Sequence, residues 1–299
     1  MSIPESEYLS PVWRDGLFKD RVVFVTGGAG TICSMQTRAL VRLGANACIV
    51  GRNKDKTEKA ARDIATARPG SKVIGIGECD VRRMDSLQAA ADRCARELGA
   101  IDFVIAGAAG NFLVSLEGMS SNAFRSVMEI DTLGTFNTIK ATMPHLLRSR
   151  TPRIIFVSAT FHYTGMPMQG HVAAAKAAVD SLMASVCLEY GPRGVTSNVI
   201  APGAIQDTEG AARLLGADAD ARQSYAASIP QGRLGTVRDV ADTTVFLFSQ
   251  AGSYINGQTI PVDGGAWRRQ GASSMGERSM QYPHYLLPEE AGQAGKAKL

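Results

Sequence analysis

The stretch Val22-Val-Phe-Val-Thr-Gly-Gly-Ala-Gly-Thr-Ile32 decides the fold of this 299-residue chain. Its first half is apolar and β-branched, which predicts a buried strand, and its glycines precede a segment of helical period at Ser34–Leu43. Glycine suits a tight turn in which the backbone approaches a pyrophosphate, because the phosphates then lie on the amides of the helix N-terminus. The stretch therefore predicts a dinucleotide site, with a purely structural turn as the alternative.

Further along the chain, short apolar runs alternate with segments of helical period. This alternation is typical of βαβ units and predicts an α/β protein, a single-domain Rossmann fold whose doubly wound, seven-stranded parallel sheet has helices on both faces. The expected strands are Val22–Thr26, Ala47–Gly51, Val73–Gly77, Phe103–Ala106, Ile154–Ser158, Ser197–Ala201 and Thr259–Val262. We expect one reductase domain over residues 20–266, an N-terminal surface arm at 1–19 and a C-terminal extension at 267–299.

Composition narrows the class of protein. With 45% hydrophobic and 20% charged residues, the chain reads as an ordinary soluble globular protein. The net charge of +4 comes without a basic stripe, so nucleic acid is not expected, and no apolar run approaches the roughly 18 to 20 residues of a membrane span. The N-terminus is polar and does not resemble a signal peptide. Five widely spaced cysteines predict reduced thiols in an intracellular protein and no metal site.

The residue after the second expected strand indicates the cofactor. Arg52 stands where an NAD-specific protein often carries an acid for the ribose 2′-hydroxyl, and its guanidinium suits a 2′-phosphate. NADPH is therefore the predicted cofactor, against the alternative that Arg52 is a solvated loop cation. Asp80, which follows the third strand, is expected near the adenine because ligands of such sheets bind at the carboxyl ends of the strands.

Together the motifs resemble the short-chain dehydrogenase/reductase family over roughly residues 20–267. The matching pieces are Thr26-Gly-Gly-Ala-Gly-Thr-Ile32, Asp80-Val81, Ala106-Gly-Ala-Ala-Gly-Asn111, Ser158, Ala175-Lys-Ala177, Pro202-Gly203 and Val262-Asp-Gly-Gly265. The resemblance implies that Lys176 contacts the nicotinamide ribose and that residues 202–208 hold the nicotinamide end. The cofactor-binding residues expected on these grounds are Gly27, Gly28, Gly30, Thr31, Ile32, Arg52, Asp80, Val81, Ala108, Lys176, Pro202, Gly203, Ile205 and Thr208.

Three positions depart from the family pattern. Val172 lies four residues before Lys176, where the family usually has a tyrosine, and Asp131 replaces the usual active-site asparagine. Cys33 stands at a usual glycine of the phosphate loop. Since valine cannot donate a proton, ordinary carbonyl reduction is disfavoured. Reducing a carbon–carbon double bond conjugated to a thioester instead needs a stabilised oxyanion and protonation of a carbon.

Longer runs at 106–112, 130–137, 170–176 and 201–210 resemble the peroxisomal 2,4-dienoyl-CoA reductases, especially their fungal branch. The resemblance implies NADPH-dependent reduction of a 2,4-dienoyl-CoA to a trans-3-enoyl-CoA, with hydride added at the δ carbon. It also implies that Asp131 and Lys176 hold a water that protonates the α carbon. Mitochondrial relatives use a loop tyrosine fifteen residues before the lysine, and Phe161 stands at that position here.

Each catalytic candidate has a structural alternative. Asp131 is either catalytic or a structural acid. Burial would raise the pKa of this carboxyl unless a cation such as Lys176 opposes the shift. The alternative to a catalytic Lys176 is a lysine at the surface. His171 either donates to the thioester oxygen or to the water, or is a structural histidine at the start of a helix. Tyr163 is a minor candidate for the acid.

The resemblance further implies an acyl-CoA cleft and a lid. The expected cleft residues are Arg82, Asn111, Phe112, Ser120, Ser121, Asn122 and Arg213. Cations suit the CoA phosphates, and a serine-rich helix start suits an anion. The stretches Thr208–Leu215 and Asp218–Ser228 are expected to form a mobile lid with Gly216 as its hinge.

The chain ends in Ala297-Lys-Leu299, a variant of the Ser-Lys-Leu peroxisomal address, which predicts the peroxisomal matrix and an import receptor as a partner. Family members are generally homo-oligomers, so the helices expected at Ser120–Arg150 and His171–Tyr190 are candidate interface elements. Two other functions stay open: a catalytically silent NADPH-binding sensor or scaffold, and a carbonyl reductase that uses Tyr163 or His171 as its acid.

Overall fold

The computed structural model describes residues 3–208, 210–212 and 218–271. Its centre is a parallel sheet of seven strands in the order β3-β2-β1-β4-β5-β6-β7. This confirms the predicted doubly wound α/β fold. The strands are β1 Val22–Thr26, β2 Asn46–Val50, β3 Val73–Ile76, β4 Phe103–Ala106, β5 Arg153–Val157, β6 Thr196–Pro202 and β7 Thr259–Val262.

Helices cover both faces of the sheet. They are α1 Thr31–Arg42, α2 Lys54–Ala65, α3 Met84–Leu98, α4 Ser121–Val127, α5 Gly134–Leu146, α6 Gly170–Tyr190, α7 Ala219–Ser228 and α8 Val237–Phe248. Because strand side chains alternate between faces, Val23 and Val25 join a core with α1 and α8, whereas Val22 and Phe24 join a second core with α3, α5 and α6. Both cores end at the carboxyl edge of the sheet, where the candidate site lies.

The predicted boundaries hold for β1, β4 and β7 and shift at the others. Strands β2 and β5 begin and end one residue earlier than predicted, β3 ends one residue earlier, and β6 extends one residue at each end. The continuous helix expected at Ser120–Arg150 is wrong in one respect: a π-helix, Met128–Leu133, separates α4 from α5. Apolar periodicity cannot reveal such an insertion, because it changes the backbone hydrogen bonds and not the residue types.

The N-terminal segment is not the surface arm that we expected. Tyr8, Leu9 and Phe18 are 3%, 2% and 2% exposed and belong to the core beside α1 and α8. The Trp13 indole donates a hydrogen bond to Asp242 Oδ1 on α8 at 2.7 Å. The segment therefore packs against α1 and α8. The sequence did not predict this packing, because the apolar residues of the segment are scattered through a polar stretch.

One segment of the described chain, Gly170–Arg193, passes a test for a membrane-spanning helix that uses length and composition alone. It contains α6, which packs on β6 and the π-helix and buries Val179 and Met183. A core helix rich in alanine meets the same criteria, so this finding is weak support for a span. Of the expected lid, α7 is present, whereas Gly216 lies outside the described residues.

Candidate active site

The phosphate loop between β1 and α1 leaves no room for side chains. Gly27 has φ +66°, and a Cβ atom there would lie 2.9 Å from the Gly107 carbonyl oxygen. A Cβ atom on Gly28 would lie 2.5 Å from Ile49 Cβ. Gly30 is the N-cap of α1 and has no side chain to cover the amides at Thr31 and Ile32. The loop therefore fits a dinucleotide pyrophosphate, as the glycine spacing predicted.

Cys33, at the position where the family usually has a glycine, lies beside Gly107 in the loop after β4. Its side chain is buried, and a Cβ atom on Gly107 would collide with its Sγ atom. Burial raises the pKa of Cys33 to about 12, against a smaller opposing effect of the Lys176 charge. The thiol is therefore neutral at physiological pH and acts as a small apolar group under the loop.

Charged side chains meet at the carboxyl ends of β2 and β3. Arg52 is exposed, and its backbone carbonyl accepts a hydrogen bond from the Glu78 amide at 3.2 Å. Asp80 is paired with Arg82, with Nη2 to Oδ2 at 2.5 Å. The Arg82 guanidinium, with a smaller contribution from the Arg52 charge, lowers the pKa of Asp80. Arg82, which we expected in the acyl-CoA cleft, thus lies against the residue predicted to face the adenine.

The central feature of the site is a buried ion pair. Asp131 is fully buried, and its Oδ2 atom lies 3.1 Å from Lys176 Nζ. Its Oδ1 atom accepts a hydrogen bond from the Gly110 amide at 2.7 Å. Lys176 Nζ also donates to the carbonyl of Val157, the last residue of β5, at 3.0 Å. The structure thus brings the two predicted catalytic residues together at the ends of β4 and β5.

The π-helix explains how Asp131 reaches this position. Residues 128–133 make i to i+5 bonds, which insert an extra residue per turn and rotate the side chains relative to a regular helix. Thr132 Oγ1 donates to the Ala175 carbonyl on α6 at 3.4 Å, and Gly134 passes close to Val81. The Thr132 hydrogen bond holds the π-helix against α6, and the carboxylate of Asp131 faces the lysine.

Where the family's phenol would stand, the structure has an apolar cluster. Val172 is 3% exposed and packs with Val127, Ala175, Phe112 and Phe161. This arrangement gives the wall of the site no proton donor at the tyrosine position.

His171, the residue before Val172, is fully buried, with its ring centroid 4.3 Å from that of Phe112. Burial lowers the pKa of His171, while the Phe112 backbone and the charge of Asp131 act in the opposite direction. At neutral pH the ring is therefore uncharged and can still donate one N–H hydrogen bond.

The remaining candidates lie in two places, the loop 202–208 after β6 and the start of α4. Pro202 ends β6, the Gly203 amide donates to the Val262 carbonyl at 3.0 Å, and Thr208 Oγ1 donates to the Ile205 carbonyl at 2.7 Å. On the other side, Ser120 Oγ accepts from the Ala123 amide at 3.1 Å and caps α4. The same short helix carries Ser121 and Asn122, whereas Arg213 lies outside the described residues.

Several contacts at the candidate site were not predictable from residue types. The Gly110 amide and the Val157 carbonyl contact the ion pair through the backbone. Thr26 Oγ1 accepts hydrogen bonds from the amides of Gly107 at 3.2 Å and Ala108 at 3.4 Å. These bonds hold the loop after β4 next to the phosphate loop. Only Thr26 had a possible sequence signal, as a polar residue at the end of an apolar strand.

Comparison with known proteins agrees with this geometry. Residues 27–266 match the family model described as enoyl-(acyl carrier protein) reductase. The yeast Saccharomyces cerevisiae peroxisomal 2,4-dienoyl-CoA reductase, named as producing (3E)-enoyl-CoA, is 51% identical over 96% of this chain and 94% of its own. The chain belongs to the short-chain dehydrogenase/reductase family. The resemblance predicted from the phosphate loop and the lysine motif is thereby confirmed.

Other members of the family support the same assignment. The Danio rerio peroxisomal 2,4-dienoyl-CoA reductase is 39% identical over 86% of this chain and 84% of its own. Among solved structures, a short-chain dehydrogenase/reductase from Mycobacterium ulcerans is similar with a TM-score of 0.79 and 30% identity, covering 84% of this chain and 91% of that chain. Members of this family use a nicotinamide cofactor, which agrees with the phosphate loop described above.

Proposed function

We propose that this chain is an NADPH-dependent 2,4-dienoyl-CoA reductase that forms a trans-3-enoyl-CoA in the peroxisomal matrix. The observation that carries the proposal is the buried pair of Asp131 and Lys176 beside Val172, where the family's phenol is missing. The names of the yeast and zebrafish relatives support both the reaction and the compartment.

The cofactor proposal rests on the phosphate loop and Arg52. Gly27, Gly28 and Gly30 allow the tight turn that brings the backbone amides at the start of α1 to a pyrophosphate, and the exposed Arg52 guanidinium suits a 2′-phosphate. Pro202, Gly203, Ile205 and Thr208 would hold the nicotinamide end. When bound, NADPH supplies the hydride that reaches the δ carbon of the substrate.

The residues of this chain would stabilise the negative charge on the substrate and supply the proton for its α carbon. Addition at the δ carbon moves negative charge onto the thioester oxygen, where the neutral His171 ring is available as a hydrogen-bond donor. Lys176 would orient the cofactor ribose and, with Asp131, hold the water that protonates the α carbon. Because Lys176 Nζ is held by the Asp131 carboxylate and the Val157 carbonyl, its N–H bonds point in fixed directions. A water bound to it would therefore be held in one orientation.

The acyl-CoA would lie along Asn111 and Phe112, and its phosphates would bind Arg213 and the guanidinium of Arg82, which also pairs with Asp80. The apolar cluster of Val172, Phe112 and Phe161 would exclude bulk water from the dienoyl group.

An activity assay tests the proposal. We expect NADPH absorbance to fall with a 2,4-dienoyl-CoA and to stay constant with a 3-ketoacyl-CoA. Consumption of the ketoacyl substrate alone would favour the carbonyl reductase, and inertness toward both would favour the silent NADPH-binding protein. The Tyr163 hydroxyl donates to Asp180 at 2.7 Å, and burial raises the pKa of this tyrosine, which supports the dienoyl-CoA reaction over a carbonyl reductase with Tyr163 as its acid.

The partners proposed for the chain are a second copy of itself and an import receptor. Exposed apolar side chains at Leu133, Phe136 and Leu188 lie on the helical segments predicted as interface elements, and a depression of about 410 Å³ runs between Leu133, Phe136 and Leu182. Substituting Phe136→Glu should dissociate the oligomer in light scattering. Removal of Ala297-Lys-Leu299, which lies outside the described residues, should leave activity intact and stop import.

A further inference from the structure

A second polar cluster lies one helical turn beyond the catalytic lysine. Asp180 follows Lys176 by four residues on α6, so both side chains lie on one face of the helix. Its Oδ2 atom accepts hydrogen bonds from the Tyr163 hydroxyl at 2.7 Å and from Thr259 Oγ1 at 3.0 Å. His162 Nε2 lies 3.3 Å from the same oxygen. One carboxylate oxygen on α6 thus meets side chains from two other parts of the chain.

These donors belong to segments that border the site. Tyr163 and His162 lie in a short 3₁₀ turn, Phe161–Tyr163, between β5 and α6, and Thr259 begins β7. Phe161, the first residue of the turn, packs in the apolar cluster of Val172 and Phe112. Any movement of Tyr163 and His162 therefore moves the wall of the acyl site.

The C-terminal end of the domain packs against the same turn, residues 161–163. The Tyr163 ring lies 5.8 Å from the ring of Trp267. The Trp267 amide donates to Asp263 Oδ2 at 2.9 Å, and Asp263 directly follows β7. The turn is therefore held between Asp180 on one side and Trp267 on the other.

We propose that Asp180 is a positioning residue that fixes the turn 161–163, and through Phe161 the apolar wall of the acyl site. The inference rests on the proposed function, since the wall matters only if an acyl chain lies against it. The hydroxyl groups of Tyr163 and Thr259 both donate to Asp180, and the His162 ring lies beside the same oxygen, so this carboxylate ties the turn to α6 and β7.

The test compares three variants. Asp180→Ala removes all three interactions, and Asp180→Asn keeps an oxygen that accepts from Tyr163 or Thr259. Asp242→Ala is the matched control, because Asp242 Oδ1 likewise accepts two donors, Trp13 at 2.7 Å and the Ser10 amide at 3.0 Å, away from the turn. The measured quantities are kcat and KM for a 2,4-dienoyl-CoA and the Kd for NADPH.

We expect Asp180→Ala to raise KM about fivefold or more with kcat within about twofold, because a displaced wall weakens binding of the ground state and the transition state alike. The NADPH Kd should stay unchanged, Asp180→Asn should recover part of the KM, and Asp242→Ala should lower stability with a normal KM. An equal rise in KM for Asp180→Ala and Asp242→Ala, or a parallel change in NADPH affinity, would overturn the assignment.

A readout that needs no substrate separates this inference from the proposed function. The chain has two tryptophans, so Trp267 is the sole emitter in a Trp13→Phe background. In that background Asp180→Ala should shift Trp267 emission to longer wavelength and increase its quenching by acrylamide. Unchanged emission and quenching would refute the positioning role even if the enzyme is inactive.

Should Asp180→Ala not fold, Tyr163→Phe removes one hydrogen bond from a half-exposed side chain and keeps the ring contact. It should raise KM about twofold and increase quenching slightly. Wild-type values for both quantities would count against the proposal in the same way.

Discussion

Two buried aspartates at opposite edges of the sheet look alike in burial and differ in what surrounds them. Asp102 precedes β4 at the amino edge, is 3% exposed, and both of its oxygens accept hydrogen bonds, from the Val22 amide, Arg21 and Ser149. Asp131 at the carboxyl edge is fully buried, but its Oδ2 atom has an ion pair with Lys176 and no partner in hydrogen-bond geometry among the described residues.

The difference teaches that burial and a nearby cation do not by themselves identify a catalytic acid. Both carboxylate oxygens of Asp102 accept hydrogen bonds, and through the Val22 amide Asp102 joins the start of β1 to the start of β4. Asp131 lies in a π-helix, keeps one oxygen available for a further donor, and has the neutral His171 nearby. Irregular backbone and an incompletely satisfied carboxylate are the features expected of a site that must bind a reacting group.

The largest expected effect comes from Asp131. Asp131→Ala should lower kcat at least about hundredfold, because it removes the group that holds the proton donor. Steady-state kinetics on protein whose circular dichroism and NADPH binding match the wild type would measure it. Near wild-type turnover in such a protein would remove Asp131 from the mechanism and show that its role, like that of Asp102, is structural.

Asp102→Ala should show the opposite pattern. It leaves the Val22 amide and Ser149 without their partner in a buried place, so the free energy of unfolding should fall by about 2–4 kcal/mol. Urea denaturation measures this loss, and kcat of the folded fraction should stay within about twofold of the wild type. A large fall in kcat at unchanged stability would contradict the assignment of Asp102 to structure.

The cofactor end offers a comparison of the same kind between two arginines. Arg82 is held by Asp80, whereas Arg52 is exposed at the end of β2. Arg52→Ala should weaken NADPH relative to NADH by about 1.5–3 kcal/mol, since one charged hydrogen bond to the 2′-phosphate is lost. Dissociation constants for both cofactors measure the difference, with Arg68→Ala, an arginine bonded to the carbonyls of Val41 and Ala45, as a control. Equal weakening of the two cofactors would refute the 2′-phosphate role.

The sequence predicted what depends on residue type and period. The apolar run Val22–Thr26, the glycines after it and the alternation of apolar runs with helical segments sufficed for the doubly wound, seven-stranded parallel sheet. The π-helix at Met128–Leu133 and the packed N-terminal segment were missed, because both depend on backbone geometry and on tertiary contacts. Asp180 was missed for a different reason: an acid on an alanine-rich helix reads as solvent-facing until Tyr163 and Thr259 are seen beside it.

The smallest expected effect extends the comparison to an aspartate nearer the surface. Asp239 caps α8 together with Thr236, and hydrogen bonds from Arg233 lower its pKa from 3.8 to about 2. Because the folded pKa lies below the unfolded value, this carboxylate stabilises the protein fully above about pH 4, and the contribution is lost as the pH falls toward 2. Asp239→Asn should therefore lower Tm slightly at neutral pH and flatten the dependence of Tm on pH between 4 and 2. An unchanged slope in thermal denaturation would show that the bonds to Arg233 are screened by solvent, in contrast to the buried pair at Asp131.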